Sequence, residues 1–255
     1  MNALDALVHE VLTHPDDDVP RLKAAAEWDR LGDPRGELVR VQCELALRDD
    51  SRAGWERRWE ELSARQDALL GQHAANWAAP FKGLVSGFSF VRGFVEHVAL
   101  PAPELIAKAG QIFALAPIRH LDLTAARDVV RPLFALPQLG QIVSLSLAGC
   151  RIGDAGLRVL AESPHLGRLE WLDLGGNEIT AQGVEALAAS PKLPRLTRLF
   201  MPDNPADPVE TAIRDEVGTV ATIEPSELGL TLEAKHGKRP WLHVQDFSRF
   251  GPRRF

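Results

Sequence analysis

The sequence predicts an α/β solenoid, with a helical region on its N-terminal side and a short cap on its C-terminal side. Three observations support this prediction: an apolar pattern that recurs at a fixed interval, helical patterns between its copies, and a different composition on either side. The 255 residues are 45% hydrophobic and 25% charged, which is typical of a globular protein. We predict a helical cap domain at residues 1–80, repeats at 81–204, and a C-terminal cap with a basic tail at 205–255.

The first 80 residues have helical patterns throughout. Apolar residues at positions 4, 7, 8, 11 and 12 share one face of a first helix, which ends before His14-Pro15. An aspartate of the run Asp16–Asp18 is expected to cap the next helix, because the run lacks the alternating ligands and the glycine of a calcium loop. A turn at 32–36 precedes two further predicted helices, at 37–47 and 53–76.

An internal repeat occupies the middle of the chain. Residues 142–152 read I-x-x-L-x-L-x-x-C-x-I, and residues 169–179 read L-x-x-L-x-L-x-x-N-x-I, an offset of 27 positions. A third copy follows at 196–204, and shorter offsets of 24 and 23 lead back to copies at 118–123 and 95–100. Such a period predicts stacked units that each contribute a strand to one sheet, with the leucines pointing into the core.

This pattern closely resembles the leucine-rich repeat family, and the 27-residue length is similar to its ribonuclease-inhibitor-like subclass. The resemblance implies an α/β horseshoe of about five repeats, in which asparagine or cysteine after each strand bonds to backbone groups of neighbouring repeats. Asn177, Asn204 and Cys150 occupy that position, so we interpret Cys150 as structural. Helices are predicted at 154–162 and 181–189, each followed directly by a proline.

Two stretches resemble a bacterial repeat-companion domain, a helical module found before leucine-rich repeats. They are HPDDDVPRL…WDRLGDPRGELVRVQCELA near the N-terminus and Phe90–Phe94 just before the first predicted strand. This resemblance implies an architecture and no chemistry.

After residue 204 the repeat pattern fades. We predict a helix at 208–217 and a closing strand at 220–223, then a β-hairpin formed by 228–234 and 241–244. Residues 235–255 hold six basic residues against one acidic residue. This tail either caps the solenoid or binds a partner.

The sequence contains no signature of catalysis. Phosphate-binding, dinucleotide-binding, zinc-protease and hydrolase motifs are absent, and the eight histidines do not cluster. We therefore predict a protein that is not an enzyme and needs no cofactor or metal. A net charge of −6 disfavours nucleic acid as a partner, and the sequence has neither a signal peptide nor a membrane span, which predicts a cytoplasmic protein.

The strand positions that alternate with the leucines are the best functional candidates. Side chains at these positions point away from the core and would line the concave face. Tryptophan, phenylalanine and arginine on neighbouring strands are residue types that often anchor interfaces, although Trp171 and Phe200 could instead pack on each other or on the C-terminal segment. The candidate binding residues are His120, Asp122, Ser144, Ser146, Trp171, Asp173, Arg198 and Phe200.

The leading hypothesis is a non-catalytic module that binds a protein or peptide on the concave face. The alternative is a regulatory subunit or adaptor that binds an enzyme or complex through the helical module at 1–80, where 16 acidic residues face 10 basic ones. A third possibility is an enzyme with a site between the two parts.

Overall fold

A computed structural model describes residues 3–47, 54–206, 211–214, 220–224 and 226–242. Contacts between Cα atoms divide the chain into two compact units. One unit comprises Met1–Val98 with Gln111–Ile118, and the other comprises Ala99–Gly110 with Arg119–Arg254. Within the described ranges, no helix is both long and apolar enough to cross a membrane.

The first unit begins with four helices, as the sequence predicts. They are α1 (Ala3–Thr13), α2 (Asp18–Arg30), α3 (Arg35–Ala46) and α4 (Trp55–Trp77). The Asp17 carboxylate accepts a hydrogen bond from the Val19 N–H at 2.8 Å, which confirms the predicted aspartate cap of α2. Buried side chains of α1, α2 and α3 form one core, and Trp28 packs against Phe94 with 5.7 Å between ring centroids.

Two strands, β1 (Gly87–Val91) and β2 (Phe94–Pro101), follow these helices. Their turn lies directly on α3, because a Cβ atom at Gly93 would come within 2.1 Å of a Val39 methyl group. Gly93 also has a φ of +82°, so only glycine fits this turn without strain. Gln42 fixes the turn by accepting the Gly93 N–H at 2.7 Å and donating to the Phe90 carbonyl at 2.9 Å.

The repeats follow as an alternation of helices and strands. Helix α5 (Ala102–Leu115) precedes β3 (His120–Thr124), α6 (Val130–Phe134), β4 (Ser144–Ser146), α7 (Gly153–Ala161), β5 (Trp171–Asp173), α8 (Ala181–Ala189) and β6 (Arg198–Phe200). Strands β1 to β6 follow one another in chain order in one sheet, and β3 to β6 pair in parallel. The predicted helices at 154–162 and 181–189 are confirmed as α7 and α8.

The regularity of the repeat extends to its backbone. One turn residue after each of the strands β3 to β6 adopts a positive φ, between +54° and +68°, at positions spaced by 24, 27 and 27 residues. These residues are Ala125, Gly149, Gly176 and Asp203. The same left-handed step thus returns the chain from each strand towards the following helix.

The C-terminal region differs from the prediction. Residues 211–214 form a strand, β7 (Thr211–Arg214), where a helix was expected at 208–217; β7 pairs antiparallel with β8 (Val220–Glu224), which confirms the closing strand. The hairpin predicted from 228–234 and 241–244 is wrong, because residues 227–236 form helix α9 (Glu227–His236) and Pro240–Leu242 a 3₁₀ turn. Residues 243–244, and the rest of the tail to 255, lie outside the described residues.

Capping explains why 227–236 is helical. The Ser226 hydroxyl accepts the Gly229 N–H at 3.3 Å at the start of α9, and Gly237 ends the helix at a φ of +76°. Glu227 stands in the first turn and Lys235 in the last, both favourable for the helix dipole. These signals outweigh the alternating leucines that suggested a strand.

Candidate functional site

The eight predicted site residues all lie on strands β3 to β6, in two aligned rows. The strand registers pair His120 with Ser144, Ser144 with Trp171, and Trp171 with Arg198. They also place the second row in line: Asp122, Ser146, Asp173 and Phe200. We call these two rows the outward face. The 27-residue offset in the sequence therefore corresponds to a one-strand step in the sheet.

The residues between the two rows are buried, as the alternation predicts. The central leucine of each strand is at most 2% exposed, whereas Phe200 is 43% exposed and Asp122 is also exposed. Trp171, Asp173 and Arg198 are half-buried. The buried set consists of Leu121, Leu145, Leu172 and Leu199. The leucines therefore anchor the strands, while their neighbours are available at the surface of the unit.

Asp173 is the most constrained side chain of the outward face. Its carboxylate accepts the Gly175 N–H at 2.9 Å and the Ser146 hydroxyl at 3.3 Å. Burial raises the pKa of Asp173, and the negative charge of Asp122 adds to this effect, although the two hydrogen bonds oppose it. A cation placed over Ser146, between the two carboxylates, would therefore be favourably bound.

An asparagine ladder holds the C-terminal ends of these strands. The buried Asn177 side chain donates to the Leu147 carbonyl at 2.8 Å and accepts the Ile152 N–H at 3.2 Å, so it joins two repeats. Asn204 repeats this arrangement one strand later, accepting the Asn177 N–H and donating to the Leu174 carbonyl. The predicted ladder is confirmed.

Cys150 occupies the ladder position of the preceding repeat. Its thiol donates to the Leu123 carbonyl at 3.2 Å, and only 5% of the residue is exposed. Burial raises the pKa of the Cys150 thiol, which disfavours the reactive thiolate. Cys43, in the first unit, is likewise buried and unpaired, and burial raises the pKa of its thiol to about 12. Neither cysteine is suited to act as a nucleophile.

A buried charge cluster in the first unit was not predicted from the sequence. The Arg21 guanidinium, with no exposed surface, lies 2.8 Å from the carboxylate of Glu96, which is 1% exposed. Arg92 bridges Glu96 at 3.2 Å and Asp18 at 3.0 Å, and it also donates to the Pro15 carbonyl. Burial lowers the pKa of Arg21, while Glu96 opposes this shift.

This charge cluster is better explained by structure than by chemistry. Its ions neutralise one another, and Arg21 and Arg92 both donate to the Pro15 carbonyl, so the cluster fastens the turn between β1 and β2 to the start of α2. The only sequence signal was the motif around Arg92, in the stretch that resembles a repeat-companion domain. Among the residues that the structure describes, no group of three or more His, Cys, Asp or Glu side chains could hold a metal ion.

Comparison with known families identifies part of the repeat array. Residues 142–161 and 169–188 match the family described as Leucine Rich repeat, and these segments span β4 to α7 and β5 to α8. The chain therefore contains leucine-rich repeats, which confirms that part of the sequence prediction. Leucine-rich repeats generally mediate protein–protein interactions, and the family is typically non-catalytic. A search of curated proteins finds no match.

Proposed function

We propose that this protein is a non-catalytic interaction module that binds a protein or peptide on the outward face, as the concave side of a short horseshoe of about five repeats. The observation that carries the proposal is the alignment of the two rows across β3 to β6. One row presents Trp171 beside Arg198, and the other presents Phe200 beside Asp173. Aromatic and arginine side chains of this kind contribute most to known interfaces.

The dimensions of the face favour a narrow partner. Strands β4, β5 and β6 are only three residues long, and four strands at about 4.8 Å spacing span roughly 15 Å. A peptide, a loop or one helix matches this width, whereas a standard interface between folded proteins buries about 800 Å² on each partner. We infer an extended segment or a single helix as the bound element.

The rest of the proposal concerns the setting of this module. We propose that it works in the bacterial cytoplasm without cofactor, metal, nucleic acid or membrane. Two unpaired cysteines, both buried, suit a reducing compartment. The N-terminal helices belong, on this proposal, to a repeat-companion domain at 1–80, followed by repeats at 81–204 and a C-terminal cap.

Affinity capture with matched variants tests the binding face. The Trp171→Ala/Phe200→Ala variant should lose the partners that wild-type protein recovers from the source cell. The control variant Trp59→Ala/Phe88→Ala removes the same residue types at similar exposure, 45% and 40%, on the first unit, and it should retain them. Equal recovery by wild type and the Trp171/Phe200 variant would refute the proposed binding face.

A second candidate function is that of a regulatory adaptor that binds an enzyme or complex through the acidic helical module. The observation that favours it is a pair of exposed apolar residues one turn apart on α2, Val19 at 54% and Leu22 at 44%. Loss of partners from Val19→Ser/Leu22→Ser, with retention by the Trp171/Phe200 variant, would favour the adaptor over the leading proposal.

A further inference from the structure

We propose that residues 243–255 of this chain bind its own outward face and compete there with the external partner. This inference rests on the proposed function, because it takes the outward face to be a binding surface. The segment reads HVQDFSRFGPRRF and lies outside the described residues. Its arginines would meet the carboxylates of Asp122 and Asp173, and its phenylalanines would pack near Trp171 and Phe200.

The described chain leads directly to this face. Trp241 and Leu242, in the 3₁₀ turn Pro240–Leu242, are 3% and 2% exposed, and this turn contacts strand β6. Arg239 is fixed to the repeat array by its bonds to the Ala188 carbonyl. Residue 243 therefore starts beside β6, which carries Arg198 and Phe200.

The length of the segment is sufficient to cover all four strands. Thirteen extended residues reach about 40 Å, at up to roughly 3.3 Å per residue. The distance from β6 to β3 is roughly 15 Å, at about 4.8 Å per strand. The segment therefore reaches Asp122 on β3 with chain to spare.

The charges of the segment and the face are complementary. The segment contains three arginines and one acidic residue, Asp246. On the face, Asp122 and Asp173 stand in one row, with the neutral Ser146 between them. A guanidinium can donate to both oxygens of a carboxylate, and these charge-assisted bonds are stronger than those between neutral groups. Arginine also stacks on aromatic rings such as that of Trp171.

Covalent attachment makes a weak contact effective. A short flexible tether gives an effective concentration in the millimolar range. At about 1 mM, a segment that binds with a dissociation constant of about 100 μM would occupy the face in roughly nine molecules of ten. An external partner must then displace it, which lowers the partner's apparent affinity about tenfold.

A fluorescent synthetic peptide of residues 243–255 tests this inference on the full chain. In wild-type protein the attached segment should compete with the added peptide. The variant Arg249→Glu/Arg253→Glu/Arg254→Glu should free the face and bind the peptide about tenfold more tightly, as measured by fluorescence anisotropy. Adding Asp122→Asn/Asp173→Asn to that variant should then remove most of the binding.

A control variant makes the same charge change elsewhere on the second unit. Arg131, Arg168 and Arg195 are exposed and lie outside the outward face, so their replacement by glutamate should leave peptide affinity at the wild-type value. Equal affinity of wild type and the Arg249/Arg253/Arg254 variant would overturn the inference, as would binding that survives loss of both aspartates. Partner capture that still requires Trp171 and Phe200 would, in that event, leave the proposed function intact.

Discussion

The guanidinium of Arg239 donates two hydrogen bonds to the carbonyl oxygen of Ala188, from Nε at 3.0 Å and from Nη2 at 2.8 Å. Inside the array, the equivalent carbonyl is bonded by a serine of the next repeat. The Ser190 hydroxyl donates to the Ala161 carbonyl at 2.5 Å, and Ser163 donates to that of Phe134 at 2.8 Å. Arg239 thus replaces the serine at the end of the array.

The bonds from Arg239 predict a measurable role in capping. Arg239→Ala should lower the free energy of unfolding by about 1–3 kcal/mol, because it leaves the carbonyl at the end of α8 without its charged donor. Urea denaturation measures this loss, and amide hydrogen exchange should become faster in α9. The exposed neighbour Lys238 serves as control, and Lys238→Ala should change stability by less than about 0.5 kcal/mol. Equal effects of the two substitutions would argue against the capping role.

Asn177 should be among the least replaceable polar residues of the repeats. It has no exposed surface, and it donates to two carbonyls and accepts one N–H. Asn177→Ala should cost about 3 kcal/mol or more, because buried backbone groups lose their partners. In the control Asn76→Ala the asparagine is exposed on α4, and chemical denaturation should show little change. A small loss at Asn177 would mean that the ladder does not hold the repeats together.

The repeat array was largely predictable because its information is local. The 27-residue offset fixed which residues become neighbours on adjacent strands, and leucine alternation fixed which of them point outward. Both rows of the outward face follow from these two facts. The burial that raises the pKa of Asp173 was not predictable, since it depends on how Ser146 and Gly175 enclose its carboxylate.

Two features could not be read from the sequence, for different physical reasons. The charge cluster joins Arg21 to Glu96 across 75 positions, and only tertiary packing brings them together. In α9, leucines at 228, 230 and 232 follow the two-residue period of a strand, yet caps at both ends stabilise a helix. Local capping energy decided the second case, and it acts on a scale that alternation alone does not record.

The pair formed by Arg21 and Glu96 should be costly to break from one side. Glu96→Ala or Arg21→Ala leaves an uncompensated buried charge, and each should lower stability by about 3–5 kcal/mol. Replacing both residues by methionine should cost less than either single change, since no charge remains buried. A double-mutant cycle with urea unfolding measures this coupling.

An exposed ion pair provides the comparison for Arg21 and Glu96. Arg57 and Glu61 lie 3.7 Å apart on α4, and their side chains are 87% and 55% exposed. Arg57→Ala should therefore change stability by less than about 1 kcal/mol. If Arg21→Ala costs no more than Arg57→Ala, the buried cluster does not contribute in the way we infer.

The Cys43 thiol should make stability depend on alkaline pH. In the unfolded chain its pKa is about 8.5, whereas burial raises it to about 12 in the folded protein. Between these values the unfolded state releases a proton that the folded state retains, so stability is full below about pH 8.5 and falls as the pH rises towards 12. The slope for this group approaches about 1.4 kcal/mol per pH unit.

Cys43→Ala isolates the contribution of this thiol. The variant should unfold more easily at pH 7, because a buried side chain is lost, but its stability should fall less steeply than that of wild type between pH 8.5 and 9.5. The chain has no tyrosine, so no phenol titrates near this range. In wild type, thiol reagents at pH 8 should modify Cys43 only as fast as the protein unfolds. An unchanged slope in Cys43→Ala, or rapid modification of the folded chain, would show that the thiol ionises in the native state.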